Sequence, residues 1–190
     1  MAALMPSLAN ISWDRVERES SVTYPSDAPD QPGRDVVFDK GFPRPGGFGK
    51  LVAAKLKPPD EQTDAEFPFI LTTGRQLEHW HTGAMTRRAS TLDALEPSAV
   101  ASVSRGTLAK LGIKPGDPIR VSTRRGVVEL AARQDDAIPD GVVFIPFAYV
   151  EAAANILTNP ALDPFGKIPE FKYCAARVEA VDPATKVAAE

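Results

Sequence analysis

From Phe67 onward, short apolar runs alternate with turn-forming residues, a pattern typical of many short strands. Phe67–Leu71 has the length of a buried strand, and Val142–Phe147 is apolar throughout, as in a strand buried on both faces. Four more segments have the composition of strands: Ala99–Val103, Ile119–Ser122, Val127–Ala131 and Cys174–Val181. About six strands in residues 67–181 predict a mainly β fold, closed into a barrel.

Short helices and tight turns are predicted between these strands. Ser104 is a suitable N-cap for a helix over Arg105–Leu111 that ends at Gly112. Lys114–Asp117 has Pro and Gly at the two central positions of a type II turn. A further helical segment is expected at Val150–Leu157.

Residues 1–66 differ in composition from the rest of the chain. Eight of the 18 prolines and five of the 13 glycines fall here, so an independently packed domain is not expected. We predict one short helix at Trp13–Glu19 with Ser12 as its N-cap, and a hairpin through Val36–Phe38 and Lys50–Val52.

The same region carries four large aromatic side chains, too many for a free tail: Trp13, Phe38, Phe42 and Phe48. An extended connector or strap lying on another surface accounts for them, and that surface need not belong to this chain. We therefore expect three parts: a Pro/Gly-rich arm (1–66), the barrel (67–181) and a flexible tail (182–190).

Charge and cysteine content limit the classes of function. With 22 basic and 25 acidic residues the net charge is −3, which argues against a nucleic-acid partner. No run of 18 apolar residues predicts a membrane span, and the first residues lack the features of a signal peptide. The single Cys174 excludes an internal disulfide and an iron–sulfur cluster built from this chain alone. These features favour a cytoplasmic setting, with the periplasm open if a parent subunit carries the chain there.

The loop after the first predicted strand concentrates polar chemistry. It contains Gly74, Arg75 and both histidines of the chain, His79 and His81. Glycine lets the backbone approach a ligand closely, and arginine offers a bidentate fork to phosphate. The loop is locally basic in an acidic chain and therefore predicts an anionic ligand.

Ordinary explanations exist for several of these residues. His79 and His81 could ligate a metal, but zinc wants three or four ligands and the chain has no third histidine. Trp80 is as readily a core anchor as a contact to a guanine base. Adjacent charged residues could be solvated surface groups, and we favour this explanation for Arg124–Arg125. For Arg87–Arg88 a surface role and a ligand-binding role are evenly balanced. Asp135–Asp136 is most simply a polar turn.

Four segments, in order, carry a resemblance: TTGRQLEHWHTGAMTRR, LAKLGIKPGDPIRVSTRRGVVEL, FIPFAYVEAAANILTNPALDP and KIPEFKYCAARVE. Together they resemble the C-terminal domain of molybdenum or tungsten oxidoreductases of the dimethyl-sulfoxide-reductase superfamily. The likeness is greatest to the formate dehydrogenase α subunit, followed by periplasmic-type nitrate reductase. In that family the domain is a double-psi β-barrel that binds a bis-molybdopterin guanine dinucleotide.

The resemblance implies a set of cofactor-binding residues. The loop expected around the phosphates and guanosine comprises Thr73, Gly74, Arg75, Gln76, Leu77, Glu78, His79, Trp80, His81 and Thr82. Asn155 and Lys172 are expected to hydrogen-bond or ion-pair with the cofactor, and Phe147 to lie near the substrate funnel. Taken alone, Asn155 would only close a small helix and Lys172 would be an exposed lysine.

The family's catalytic half has no counterpart in these residues. Its cysteine cluster for an iron–sulfur centre, its cysteine or selenocysteine metal ligand and its histidine–arginine pair cannot be placed here. We therefore expect a fragment or split subunit that supplies no catalytic residue, no metal ligand and no activity alone. Its partners would be the catalytic remainder of the oxidoreductase and iron–sulfur electron-transfer proteins.

Two other classes of function remain open at this stage. One is a non-enzymatic carrier or chaperone for the pterin dinucleotide. The other is a double-psi barrel without a pterin, as in some DNA-binding proteins or in the self-cleaving aspartate decarboxylase. The acidic net charge counts against the former of these, and the absence of a Gly-Ser dipeptide counts against the latter.

Overall fold

The structure, a computed structural model, describes residues 2–181 in two compact units. The first unit ends at Leu56 and the second begins at Lys57, whereas the sequence predicts a boundary between residues 66 and 67. Residues 57–66 are thus grouped with the barrel. The predicted flexible tail, residues 182–190, lies outside the described residues.

The first unit has little regular secondary structure. A 3₁₀ turn covers Pro6–Leu8, and helix α1 covers Trp13–Glu19, as predicted. The cap is also as predicted, because the Ser12 side chain accepts a hydrogen bond from the Arg15 N–H at 3.2 Å. The Arg15 guanidinium is buried and donates to backbone carbonyls of this unit, including that of Gln31 at 2.6 Å.

The predicted hairpin in the first unit is wrong. Residues 36–52, all of which the structure describes, contain no strand. Instead, the Phe42 N–H donates to the Gly47 carbonyl at 2.9 Å and closes a local turn. Pro43 and Pro45 have no N–H to donate to a strand ladder, which explains why pairing does not propagate from this turn.

The second unit is a closed barrel of six strands. They are β1 Phe69–Gly74, β2 Val100–Val103, β3 Pro118–Ser122, β4 Val127–Gln134, β5 Val142–Pro146 and β6 Cys174–Ala180. Their order around the barrel is β1-β5-β2-β4-β3-β6, with β1/β5 and β2/β4 parallel and the other pairs antiparallel. The predicted mainly β class with a double-psi barrel is confirmed.

The barrel interior is filled by alternate side chains of these strands. Leu71, Val103, Ile119, Val143 and Ile145 have no exposed surface. Burying an aliphatic side chain of this size stabilises a fold by about 1.5–3 kcal/mol. Further side chains of the same core come from the segments outside the strands, among them Leu108, Ile113 and Leu157.

Local capping and turn signals act as the sequence indicates. Helix α2 covers Ser90–Leu95 and α3 covers Arg105–Leu111; Ser104 accepts from the Thr107 N–H at 3.0 Å, and Gly112 ends α3 with φ 67°. The predicted helix over residues 150–157 consists instead of two 3₁₀ turns, Val150–Ala152 and Ala154–Ile156, separated by extended backbone at Ala153. Within residues 2–181, no helix combines the length and the apolarity that a membrane crossing requires.

The parallel pairing of β1 and β5 places two functional segments side by side. Gly74 at the end of β1 is paired with Pro146 at the end of β5, and the Phe147 N–H donates to the Gly74 carbonyl at 3.1 Å. Both strands therefore end at the same mouth of the barrel. The loop after β1 and the 3₁₀ turns after β5 begin there.

Candidate functional site

A cavity of about 600 Å³ lies at this mouth of the barrel. It is lined by Arg75, His81, Thr82, Phe147, Asn155, Phe171 and Lys172. Six of these seven residues are among the predicted site residues, and they come from three segments of the chain. The fold therefore brings together residues almost a hundred positions apart.

The cavity wall is cationic and has no carboxylate. Arg75 and Lys172 both line it, and no Asp or Glu is among the lining residues. Within the part of the chain that the structure describes, neither cation has a carboxylate partner within 4.0 Å. Such a site suits an anion, because the guanidinium and ammonium groups keep donors for an added ligand.

Lys172 is held in place by the end of strand β1. Its Nζ donates to the Thr73 carbonyl at 2.5 Å, and it lies 5.2 Å from the Phe171 ring centroid. The Thr73 hydroxyl donates in turn to the Phe171 carbonyl at 2.7 Å. An ammonium group has three donors, so Lys172 can bind Thr73 and still reach a ligand.

Gly74 packs closely against an aromatic ring at the end of β1. A Cβ at this position would lie 2.5 Å from Phe144 Cε2 and 3.7 Å from Lys172 Nζ, so a side chain here would require the Phe144 ring to move. The wall with two cations and no carboxylate among the lining residues that the structure describes fits the phosphate-bearing cofactor that the resemblance implies.

Aromatic rings extend the cationic wall. The Arg75 guanidinium lies 5.7 Å from the Trp80 ring centroid, the Trp80 and His81 rings meet edge-on at 4.5 Å, and His81 lies 6.3 Å from Phe147. Trp80 is 58% exposed, which excludes its role as a core anchor. Flat rings next to cations suit a pterin or purine ring joined to phosphates.

A second cavity, of about 610 Å³, lies along the same loop. It is lined by Arg75, Gln76, Leu77, Glu78, His79, Trp80, Thr86 and Leu92. Arg75 and the residues that follow it thus border two cavities, and Arg75 lines both. Leu77 points outward and is 96% exposed.

The two histidines have different surroundings. His81 lines the first cavity, but His79 is only 1% exposed. Both ring nitrogens of His79 have protein partners: Nε2 is 2.8 Å from the Glu96 carbonyl and Nδ1 is 3.3 Å from the Thr86 hydroxyl. The ring therefore packs within the protein.

Three of the arginines named in the sequence are engaged in ion pairs. Arg87 pairs with Asp93 at 3.2 Å and Glu151 at 2.7 Å, and it lies 4.8 Å from the Tyr149 ring centroid. Arg124 and Arg125 both pair with Glu61. The interpretation of Arg125 as solvated surface charge is wrong, because its guanidinium also donates to the Leu157 carbonyl at 2.9 Å.

Sequence reasoning missed one lining residue and the groups behind the loop. Phe171 lines the first cavity, and its position next to Lys172 was the available signal. Thr86, Glu96 and Tyr149 support the loop from behind, with Tyr149 donating to the Glu96 carbonyl at 2.9 Å. Thr86 lies within seven positions of its partners, but Glu96 and Tyr149 meet theirs across 17 and 53 positions, and no local pattern marks those two residues.

A family model confirms the nature of the domain. The model described as "Molydopterin dinucleotide binding domain" matches residues 69–175. The matched range begins at the first residue of β1 and ends at the start of β6, so it covers five strands in full and every lining residue of the first cavity.

Full-length relatives are oxidoreductase subunits. The chain is 38% identical over 181 residues to F420-dependent formate dehydrogenase 2 subunit alpha of Methanococcus maripaludis, covering 95% of this chain and 27% of the relative. It is 36% identical to the corresponding subunit of Methanocaldococcus jannaschii, covering 93% of this chain and 26% of the relative. Periplasmic nitrate reductase of Desulfovibrio desulfuricans is 33% identical, covering 87% and 24%. The chain thus spans about a quarter of the length of these relatives.

A solved structure shows the same fold. Acetylene hydratase from Pelobacter acetylenicus matches with a TM-score of 0.56 and 23% identity over 61% of this chain and 19% of that chain. At this identity the likeness concerns the fold alone. Because the family model matches residues 69–175, more than half of the chain, this chain belongs to the molybdopterin dinucleotide-binding domain family.

Proposed function

We propose that this chain is the cofactor-binding part of a molybdenum- or tungsten-dependent formate dehydrogenase, and that it holds a bis-molybdopterin guanine dinucleotide. One observation carries the proposal. Arg75 and Lys172 line a cavity that has no carboxylate among its described lining residues, at the end of strand β1. An unneutralised cationic cavity at the end of a barrel suits a dianionic pyrophosphate.

The lining residues would divide the contacts between them. Arg75 offers its guanidinium fork to the pyrophosphate, with Thr82 and Lys172 as further donors. Asn155 can both donate to and accept from the edge of a pterin. Phe147 and His81 bound the cavity on one side, which supports the expectation that Phe147 lies near a substrate funnel.

The loop after β1 borders two cavities, which gives room for a ligand with two ring systems. Because Arg75 lines both cavities, a dinucleotide whose pyrophosphate lies at Arg75 would have one ring system in each. Thr73, Gly74, Gln76, Leu77, Glu78 and Trp80 would then border the phosphates and guanosine, as the resemblance implies. His79 is the exception, since its ring nitrogens already have protein partners.

The cofactor, when bound, supplies the two-electron redox chemistry at its metal. The residues of this chain bind it, neutralise its phosphates and exclude water from one side. No residue of the chain is assigned a catalytic role. The catalytic remainder of the enzyme and iron–sulfur proteins that accept electrons are the proposed partners, with the cytoplasm as the proposed location.

Formate is favoured over nitrate as the substrate by the order of similarity. The formate dehydrogenase subunits are 36–39% identical to the chain, and the periplasmic nitrate reductase is 33% identical. The nitrate reductase remains the second candidate because it covers 87% of the chain. If it is correct, the periplasm becomes the expected location.

The test is to isolate the native assembly that contains this chain and to analyse its contents. We expect equimolar pterin and guanine nucleotide, molybdenum or tungsten, and oxidation of formate to carbon dioxide. Nitrate reduction without formate oxidation would select the second candidate. A chain that carries the dinucleotide but does not restore formate oxidation when mixed with the catalytic half would be a carrier, and absence of the dinucleotide would overturn the proposal.

A further inference from the structure

A series of hydrogen bonds behind the loop after β1 joins four segments of the protein. It runs from the Trp80 N–H to the Thr86 hydroxyl at 3.0 Å, from Thr86 to His79 Nδ1 at 3.3 Å, and from His79 Nε2 to the Glu96 carbonyl at 2.8 Å. The Tyr149 hydroxyl reaches the same carbonyl at 2.9 Å. His79, Trp80 and Thr86 line the second cavity, but the hydrogen-bonding atoms named here all have partners within the protein.

The direction of each hydrogen bond follows from the chemistry of its partners. A carbonyl oxygen only accepts, so His79 Nε2 and the Tyr149 hydroxyl both donate to Glu96. In the neutral imidazole Nδ1 is then an acceptor, which the Thr86 hydroxyl satisfies while its oxygen accepts from the Trp80 N–H. Each donor in this series of hydrogen bonds therefore meets an acceptor.

This series of hydrogen bonds is anchored to the barrel at Glu96. The Glu96 carboxylate pairs with Arg133 of strand β4 at 2.6 Å, and this hydrogen bond from Arg133 holds the pKa of Glu96 below its ordinary value. Tyr149 packs edge-on against His79 at 5.6 Å. Burial raises the pKa of Tyr149, so its hydroxyl keeps the proton that it donates.

At Trp80 the same series of hydrogen bonds holds a turn with an unusual backbone conformation. His81, which lines the first cavity, has φ 49°, a backbone region that side-chain-bearing residues rarely adopt. The preceding residue is held from both sides, because the Trp80 N–H donates to Thr86 and the Trp80 carbonyl accepts from the Gly83 N–H at 2.9 Å. Such a conformation persists only where the surroundings determine it.

We infer that His79 is a positioning residue: through Thr86 it holds the Trp80–His81 turn so that His81 and Thr82 face the cofactor cavity. This inference rests on the proposed function. It assigns the two histidines different tasks, since His79 has protein partners on both ring nitrogens and supports the loop, whereas His81 lines the first cavity. The role depends on the Nδ1 acceptor that meets the Thr86 hydroxyl and on the Nε2 donor that fixes the ring, and therefore on specific atoms more than on side-chain volume.

The experiment compares variants of the native assembly that keep or remove each atom. His79→Gln places an amide N–H where Nε2 stands but has no acceptor where Nδ1 stands, whereas His79→Leu supplies volume without either group. Thr86→Ser keeps the hydroxyl and Thr86→Val removes it. The release of the pterin dinucleotide after dilution is followed by its fluorescence, alongside the melting temperature of each assembly.

We expect His79→Leu and Thr86→Val to release the dinucleotide about tenfold faster than wild type, as for the loss of one buried hydrogen bond. Thr86→Ser should stay within about twofold of wild type, whereas His79→Gln, which cannot accept from the Thr86 hydroxyl, should release the dinucleotide about as fast as His79→Leu. If His79→Leu does not assemble, the Thr86 pair decides, because Thr86 is only half-buried and its valine variant preserves shape.

Two results would overturn the inference while leaving the proposed function intact: equal release from wild type and Thr86→Val, or release from His79→Gln as slow as from wild type. A wild-type assembly without any pterin dinucleotide would overturn the proposed function itself. The two failures are therefore distinguishable in one set of measurements.

Discussion

Two arginine-bearing turns of the second unit have opposite roles. Arg75, in the loop after β1, lines two cavities and has no carboxylate partner among residues 2–181. Arg125, in the turn between β3 and β4, donates to both oxygens of Glu61 at 2.5 and 2.9 Å and to the Leu157 carbonyl. The first guanidinium is available to a ligand and the second is committed to the protein.

The difference lies in the neighbours of each arginine and not in the arginine itself. Both residues follow a strand and sit next to other polar residues in the sequence. Glu61, the partner of Arg125, also accepts from the Ala175 N–H at 2.9 Å, so one carboxylate links the segment before β1 to the β3–β4 turn and to β6. Charge density in a sequence therefore identifies candidates, and the position of the nearest counter-charge selects among them.

Reversing the free charge should have the largest effect. In Arg75→Glu a carboxylate replaces the fork that faces the phosphates, and retention of the dinucleotide should fall by about a hundredfold or more, the equivalent of about 3 kcal/mol. Equilibrium dialysis of the assembly measures the loss. Arg88→Glu is the matched control, because Arg88 is exposed and lines neither cavity; equal losses in both variants would contradict the assignment.

Neutralising Glu61, the partner of Arg125, should instead reduce the stability of the fold. Glu61→Gln removes the charge from hydrogen bonds with Arg125 and the Ala175 N–H, and should lower the free energy of unfolding by about 2 kcal/mol. Urea denaturation of the 190-residue chain measures it. Glu129→Gln, which weakens an exposed pair with Arg120 on the barrel surface, should change stability by less than about 1 kcal/mol.

The same pair predicts a dependence on pH. Burial raises the pKa of the Glu61 carboxyl, but hydrogen bonds from Arg125, the Ala175 N–H and Arg124 outweigh it, so the pKa lies below its ordinary value. This stabilisation is complete above the unfolded value of about 4.3 and is lost as the pH falls through the lower folded value. In Glu61→Gln the melting temperature should therefore depend less on pH across this range than it does in wild type. The same dependence on pH in both proteins would show that other carboxyls dominate.

The smallest effect is expected from the neighbouring arginine. Arg124 also pairs with Glu61, but it is solvent-exposed and Arg125 keeps the carboxylate occupied. Arg124→Ala should leave the melting temperature within experimental error. Arg125→Ala is the comparison, because it also removes the bond to the Leu157 carbonyl. A larger loss for Arg124→Ala than for Arg125→Ala would reverse our ranking of the two residues.

Much of the barrel was predictable because its signals are local. The Ser104 cap, the left-handed Gly112 and the turn in which the Asp117 N–H donates to the Lys114 carbonyl at 3.0 Å each depend on residues within four positions. Apolar runs marked β1 and β5, and the composition of short segments marked the other four strands. Where local signals conflicted, as at residues 36–52, the expected strands did not form, since proline interrupts the ladder that they require.

The sequence by itself determined the six-stranded class, the family resemblance and the loop that carries the candidate site. Only the tertiary structure decided which arginine stays free and which histidine faces the cavity. Glu61 lies 64 positions from Arg125, and the Glu96 carbonyl lies 17 positions from His79. A side chain's role depends on the groups that folding places around it, and charge, burial and hydrogen bonding at such separations leave no local pattern in the chain.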